Sequence, residues 1–174
     1  RFPHEYFYDL ILHSNLEFSA PPEESWLVAA ADANLPIFTP GWEDSTIGNL
    51  LSAKVLDCTL KSNSVVRGGL DAMQSLADWY REDDSPTGIL QVGGGISGDF
   101  AISVVPMLIQ DAGIEVPLWS WFAQISESRP SYGGYSGAPP SEKISWGKLS
   151  VDTPQFVIES DASIVLPLLL SSLE

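Results

Sequence analysis

Gly88-Ile89-Leu90-Gln91-Val92-Gly93-Gly94-Gly95 is a short apolar run that stops at three glycines, and a helical pattern follows near residues 98–112. A run of five residues bounded by glycine has the length of a buried strand, and the glycines mark where it ends. A second apolar run, Val116 to Ala123, comes after that helix, and a third, Gln155 to Ile158, comes before a helical pattern over 161–173. Strands separated by helices cannot pair as tight hairpins. They read as right-handed strand–helix–strand units in a parallel α/β sheet. Ligands in such sheets bind beyond the carboxyl ends of the strands.

The N-terminal part carries the same alternation. Residues 4–15 have helical spacing of apolar side chains, with Asn15 as a stop. Pro22-Glu23-Glu24-Ser25 opens a second helix, reaching about Ala33, with its acids in the first turn. Pro36 to Thr39 reads as a short strand, and Pro40 to Thr46 as a loop before a helix near 46–56. Residues 64–81 form an amphipathic helix that ends in the charged turn Arg81-Glu82-Asp83-Asp84. Residues 126–140, rich in Ser, Gly, Pro and Tyr, read as a loop, and Asp161 as the cap of the last helix. Three loops then share the carboxyl edge of the sheet: 40–46, 93–98 and 124–140.

Composition narrows the function classes. A chain of 174 residues with 44% hydrophobic content is globular and can bury a core. A formal net charge of -15 argues against nucleic-acid binding and suits a cationic small substrate, although solubility explains it too. Cys58 stands alone, so there is no disulfide framework or cysteine cluster. His4 and His13 are the sole histidines, which makes a histidine zinc site or a Ser-His-Asp triad improbable. No apolar run has the roughly 20 residues of a membrane span, and no secretory signal opens the chain, so a cytoplasmic protein is expected. The first residue is Arg1 rather than Met, which fits a fragment, a processed product or one half of something larger.

Candidate chemistry centres on Ser145-Trp146-Gly147-Lys148. Lys148 is one of only four lysines. A lysine beside Trp and Gly can be desolvated, which lowers its pKa and frees a nucleophilic amine, while a surface lysine after a turn is the plain alternative. Glu142 and Trp146 suit a cationic amine through ion pairing and cation–π contact, and equally suit a surface acid and a core indole. Gly93, Gly94 and Gly95 could let a phosphate approach backbone amides, or could simply make a tight turn. Asp44 could accept from ribose hydroxyls or cap a helix, and Asp161 has the same two readings. Asp99 adds a carboxylate at the same sheet edge, where a first-turn helix acid needs no function. Gly133, Gly134, Tyr132 and Tyr135 make an aromatic loop that could act as a lid or a linker.

Taken together these phrases resemble the deoxyhypusine synthase family. The matching stretches are Pro40 to Gly48, Gly93-Gly94-Gly95, Ser136-Gly137-Ala138, Glu142 through Lys148, and Asp161-Ala162-Ser163. The resemblance implies a Rossmann-like, doubly wound, mostly parallel sheet with helices on both faces, assembled as a homotetramer. It implies NAD-dependent transfer of an aminobutyl group from a polyamine such as spermidine, through an imine on an enzyme lysine, to a lysine of a translation factor. On it, Lys148 is the imine-forming lysine. Glu142, Trp146, Asn49 and Tyr135 fall at substrate positions, and Asp44, Gly93, Gly94, Ser136, Asp161 and Ala162 at cofactor positions. Asp99 stands where the family has a histidine, Asn49 where it has an aspartate, and Tyr132 and Tyr135 where the eukaryotic enzymes have an acidic pair. That pattern is closer to the bacterial deoxyhypusine synthase-like branch. It leaves open a homospermidine-type synthase with a small-amine acceptor, or a non-catalytic regulatory or assembly subunit. The likeness is to the C-terminal half of the family, so an N-terminal half with a further glycine-rich cofactor loop is expected on another chain or a cleaved piece.

Overall fold

Gly88–Val92 forms the first strand, β1, as its sequence requires, and it pairs in parallel with β2 (Trp121–Ile125), which pairs in parallel with β3 (Gln155–Ile158). The register sets Gln91 beside Gln124, and Ala123 beside Phe156. The computed structural model describes residues 1–82 and 84–173, apart from the Tyr132 side chain. Asp83 of the charged turn and the Tyr132 ring thus lie outside the described residues. The chain divides into two compact units, Arg1–Gln74 and Ser75–Glu174.

The first unit is helical: α1 (Pro3–His13), a single 3-10 turn at Pro22–Glu24, α2 (Trp26–Asp32) and α3 (Thr46–Leu56). Tyr8, Ala30 and Ala31 form its small core with Ile11, Leu27 and Ile37, and the Tyr8 hydroxyl donates to the Leu35 carbonyl at 2.8 Å. Two expectations are corrected here. The acids Glu23 and Glu24 sit in the 3-10 turn, and α2 starts only after Ser25, whose hydroxyl accepts from the Val28 amide. Pro36 to Thr39 is not a strand. Pro36 and Pro40 bracket it, the Trp42 amide turns back to the Thr39 carbonyl, and Ile37 is spent on the core.

The helix α4 (Gly69–Arg81) starts five residues later than expected, because Asn63–Val65 forms a separate 3-10 turn. In the second unit, α5 (Ile96–Ile102) gives way to α6 (Val104–Pro106) and a π-helical turn at Met107–Asp111, where one continuous helix over 98–112 was expected. Pro106 explains the break. It has no N–H to give the Ile102 carbonyl four residues back, and the Trp119 indole donates to that carbonyl instead, at 3.1 Å. Ile102, Val104, Val105 and Leu108 are thereby pinned in the core with Trp119, Phe122, Ile125 and Leu149. The expected strand at 116–123 is shifted to 121–125. Its first residues are apolar for packing, since Trp119 stacks edge-on to Tyr80 at 4.8 Å, and ladder pairing begins only at Trp121. The 126–140 segment is more ordered than a loop, with a 3-10 turn at Pro130–Tyr132 and the short helix α7 (Gly134–Gly137), followed by α8 (Pro140–Ser145). The last helix, α9 (Ala162–Ser171), is capped by Asp161 as expected, with the Ser163 amide donating to its carboxylate at 2.8 Å.

Candidate active site

Lys148 is placed by the turn that ends α8. Its backbone amide donates to the Lys143 carbonyl at 3.0 Å, and its own carbonyl accepts from Trp119. Gly147 makes that turn possible: it has φ +70, and a Cβ there would meet the Gln110 side chain at 3.2 Å. Gln110 is where it is because its amide holds the Trp146 carbonyl. The turn thus points Lys148 inward. The residue is 7% exposed, and its amine donates to Asp99 Oδ1 at 2.9 Å. The surface-lysine reading is therefore excluded, and what encloses the amine is Asp99 and Tyr135 rather than Trp146, which is mostly exposed.

Asp99 stands in the first turn of α5, where its carboxylate also accepts from the Ser103 hydroxyl at 3.2 Å. About half of its side chain faces solvent, so the pair is buried at the lysine end and open at the acid end. Tyr135, from α7, lies against the same amine, its ring centre 5.3 Å from Lys148 Nζ. The Tyr135 hydroxyl donates to Gln91 Oε1 at 2.7 Å, and burial, with Asp99 nearby, pushes its pKa well above the usual tyrosine range.

A cavity of about 620 Å³ opens over this group. Asp99, Tyr135, Glu142, Lys143, Trp146 and Lys148 line it, so five of the residues expected at catalytic or substrate positions converge on one space. That volume suits a small molecule rather than a bulky cofactor alone. Trp146 is mostly exposed and Glu142 stands on the first turn of α8, so both line the mouth and neither is core.

The cofactor positions divide. Gly94 and Ser136 are in contact: a Cβ on Gly94 would stand 2.3 Å from Ser136 Oγ, so only glycine lets α7 close on the turn after β1. Gly93 and Gly95, at φ +81 and +74, have nothing within 4 Å of a would-be Cβ. The turn is thus packed on one side and open on the other. The open backbone fits the close approach of a dinucleotide phosphate. Asp161 and Ala162 lie past the carboxyl end of β3, and the two Ser163 donors hold Asp161 below the usual carboxylate range. Asp44 and Asn49 belong to the first unit. There the α3 cap is Ser45, which accepts from the Gly48 amide at 3.1 Å, so the N-cap reading of Asp44 is corrected by one residue.

Two features were not expected from the sequence. Gln91 and Gln124, buried neighbours on β1 and β2, both donate to the Gly93 carbonyl, at 3.0 and 3.1 Å, and Gln124 also donates to the Ser136 carbonyl at 3.0 Å. They lace the glycine turn to the segment carrying Tyr135. Polar residues inside otherwise apolar strands were the available signal. The second is Lys143, 2% exposed, with its amine on the Ala138 carbonyl at 2.9 Å.

The family model for deoxyhypusine synthase matches residues 9–173. This chain belongs to the deoxyhypusine synthase family. Relatives include a deoxyhypusine synthase-like protein of Cyanothece, 34% identical over 154 residues, covering 83% of this chain and 38% of that one. A second, from a Nostoc species, is 32% identical over 146 residues, covering 82% and 37%. A probable deoxyhypusine synthase 2 of Methanosarcina mazei is 29% identical over 153 residues, covering 87% and 42%. The chain therefore spans about two fifths of the length of these deoxyhypusine synthase relatives, and the cyanobacterial matches agree with the expected bacterial branch.

Proposed function

We propose that this chain carries the lysine half of an NAD-dependent aminobutyltransferase of the deoxyhypusine synthase type. The observation that carries the reading is a buried Lys148 amine, 2.9 Å from Asp99, on the wall of a small-molecule cavity that also holds Tyr135, Glu142 and Trp146. The donor is an amine with an aminobutyl arm, such as spermidine, and the acceptor is a protein lysine or a small amine. The sheet is read as part of a larger Rossmann-like one, completed by a further segment that brings the rest of the dinucleotide site and by association into a tetramer. Asp161 and Ala162 contribute at that completed site.

When bound, NAD would remove a hydride from the carbon beside the donor nitrogen and return it at the end. The chain's own residues do the rest. Glu142 and Trp146 at the mouth receive the ammonium of the incoming amine. Lys148 passes its proton to Asp99, and its amine attacks the oxidised C=N carbon. The C–N bond to the donor's own imine nitrogen then breaks, that nitrogen takes up the protons of the attacking amine and leaves as a primary amine, and the lysine imine remains. The acceptor amine then displaces Lys148, which recovers its proton from Asp99. Asp99 does the proton transfer that the family assigns to a histidine, in direct contact with the amine it serves. The Tyr135 ring covers the amine and keeps water from it.

The test is borohydride trapping. Natively purified protein, incubated with NAD and spermidine and reduced, should carry an aminobutyl adduct on the peptide containing Lys148. An adduct elsewhere, or none in the native assembly, rejects the reading and favours a non-catalytic subunit.

A further inference from the structure

Lys143 is a buried cation that the mechanism above does not use. Its amine is held by the Ala138 carbonyl and by the faces of Phe122 and Tyr135, each ring centre 5.0 Å away. Tyr135 therefore has a lysine amine against it twice, Lys143 and Lys148. Lys148 has Asp99, whereas Lys143 makes no ion pair among the described residues. Burial lowers the Lys143 pKa, the charge of Lys148 lowers it further, and Glu142 and Asp99 oppose both. A buried ammonium without a carboxylate is costly, so its presence on a cavity wall calls for a role.

The cavity's size supplies one. An equivalent sphere for 620 Å³ is roughly 10 Å across, which is about one Debye length at moderate salt. Any ammonium inside the cavity therefore feels Lys143 without full screening. The opposing carboxylates on the wall are Asp99, Asp111 and Glu142, and Asp99 is taken by Lys148. Two ammonium groups can be received, at Glu142 and Asp111. A third meets a fixed positive charge in a partly desolvated space.

We propose that Lys143 is a specificity residue: its buried ammonium penalises a third positive charge on the bound amine, so the site takes a diamine in preference to a triamine with the same aminobutyl arm. The proposal rests on the amine-pocket reading of Lys148 and narrows its substrate class.

The experiment is calorimetric titration of the full chain with putrescine, the diamine, and with spermidine, the triamine, near neutral pH and low salt. Wild type should bind putrescine more tightly. Lys143→Gln, which keeps a donor for the Ala138 carbonyl but removes the charge, should shift the ratio of affinities toward spermidine by roughly tenfold. Lys143→Arg should keep the wild-type ratio. A ratio that Lys143→Gln leaves unchanged, or that both variants shift alike, overturns the specificity role while leaving the amine pocket standing. A wild type that binds neither amine overturns both. Circular dichroism melts of the two variants verify that each is folded.

Discussion

At the scale of single residues, the proposed reaction turns on a lysine amine that must lose its proton and a carboxylate that must take it. Lys148→Arg keeps a cation beside Asp99 but cannot form the imine. Transfer should fall on the order of 10³-fold, with melting temperature unchanged, as steady-state assays and thermal melts would show. Asp99→Asn should slow turnover by about 10²-fold while KM moves little, because the amide still bonds Lys148 but takes no proton. An unchanged rate would remove Asp99 from the mechanism. Lys143 makes a prediction about stability. Its folded pKa lies below its unfolded one, so the unfolded chain binds more protons between the two values. Stability therefore rises with pH through that window, up to the ordinary lysine value near 10.5. Replacing Lys143 with Met should stabilise the fold near neutral pH, and urea titrations should show that gain shrinking as pH climbs through the window. Lys148 stood out in Ser145-Trp146-Gly147-Lys148 only with the family phrases around it, because the tetrapeptide alone also fits a surface lysine after a turn. Lys143 was not legible. Nothing in Glu142-Lys143-Ile144 distinguishes a buried lysine from a solvated one until Phe122 and Tyr135 arrive from other elements.

At the scale of elements, the site is a set of contacts between short pieces. The turn after β1 closes on α7 only because Gly94 lacks a side chain. Gly94→Ala should push Ser136 away, loosen the Gln124 bridge to both segments and cost about 1–3 kcal/mol, measurable by urea denaturation. Weaker dinucleotide binding should accompany it in the assembled enzyme. The strands β1 and β3 were readable at their correct bounds, because a short apolar run between breakers has few alternatives. The helix after the glycine turn was read too simply. Periodicity sees apolar spacing but not that Pro106 strands the Ile102 carbonyl, which Trp119 then claims from 17 residues downstream. Residues 126–140 were read as loop, although they hold α7 and the start of α8, since Gly, Ser and Pro favour turns in isolation. Contacts with Gln91, Gln124 and Phe122 outweigh that preference here.

At the scale of the whole chain, charge and length set the terms. With a formal net charge of -15, the chain attracts amines from solution, so the amine KM should rise with ionic strength in assays at graded salt. The chain spans about two fifths of its relatives, and the isolated polypeptide should bind NAD weaker than micromolar, as titration would show. Micromolar binding would mean that the open glycine turn and Asp161 suffice. No helix among the described residues is long and apolar enough to cross a membrane. What the sequence determined by itself was the family and the parallel α/β alternation, because each is written in contiguous residues whose geometry is local. Tertiary structure alone decided that Asp99, 49 residues from Lys148 in the chain, is the partner of its amine, that two glutamines tie the glycine turn to the segment carrying Tyr135, and that a second lysine lines the pocket. Pairings across such separations depend on how strands register and helices break, and no local pattern records them.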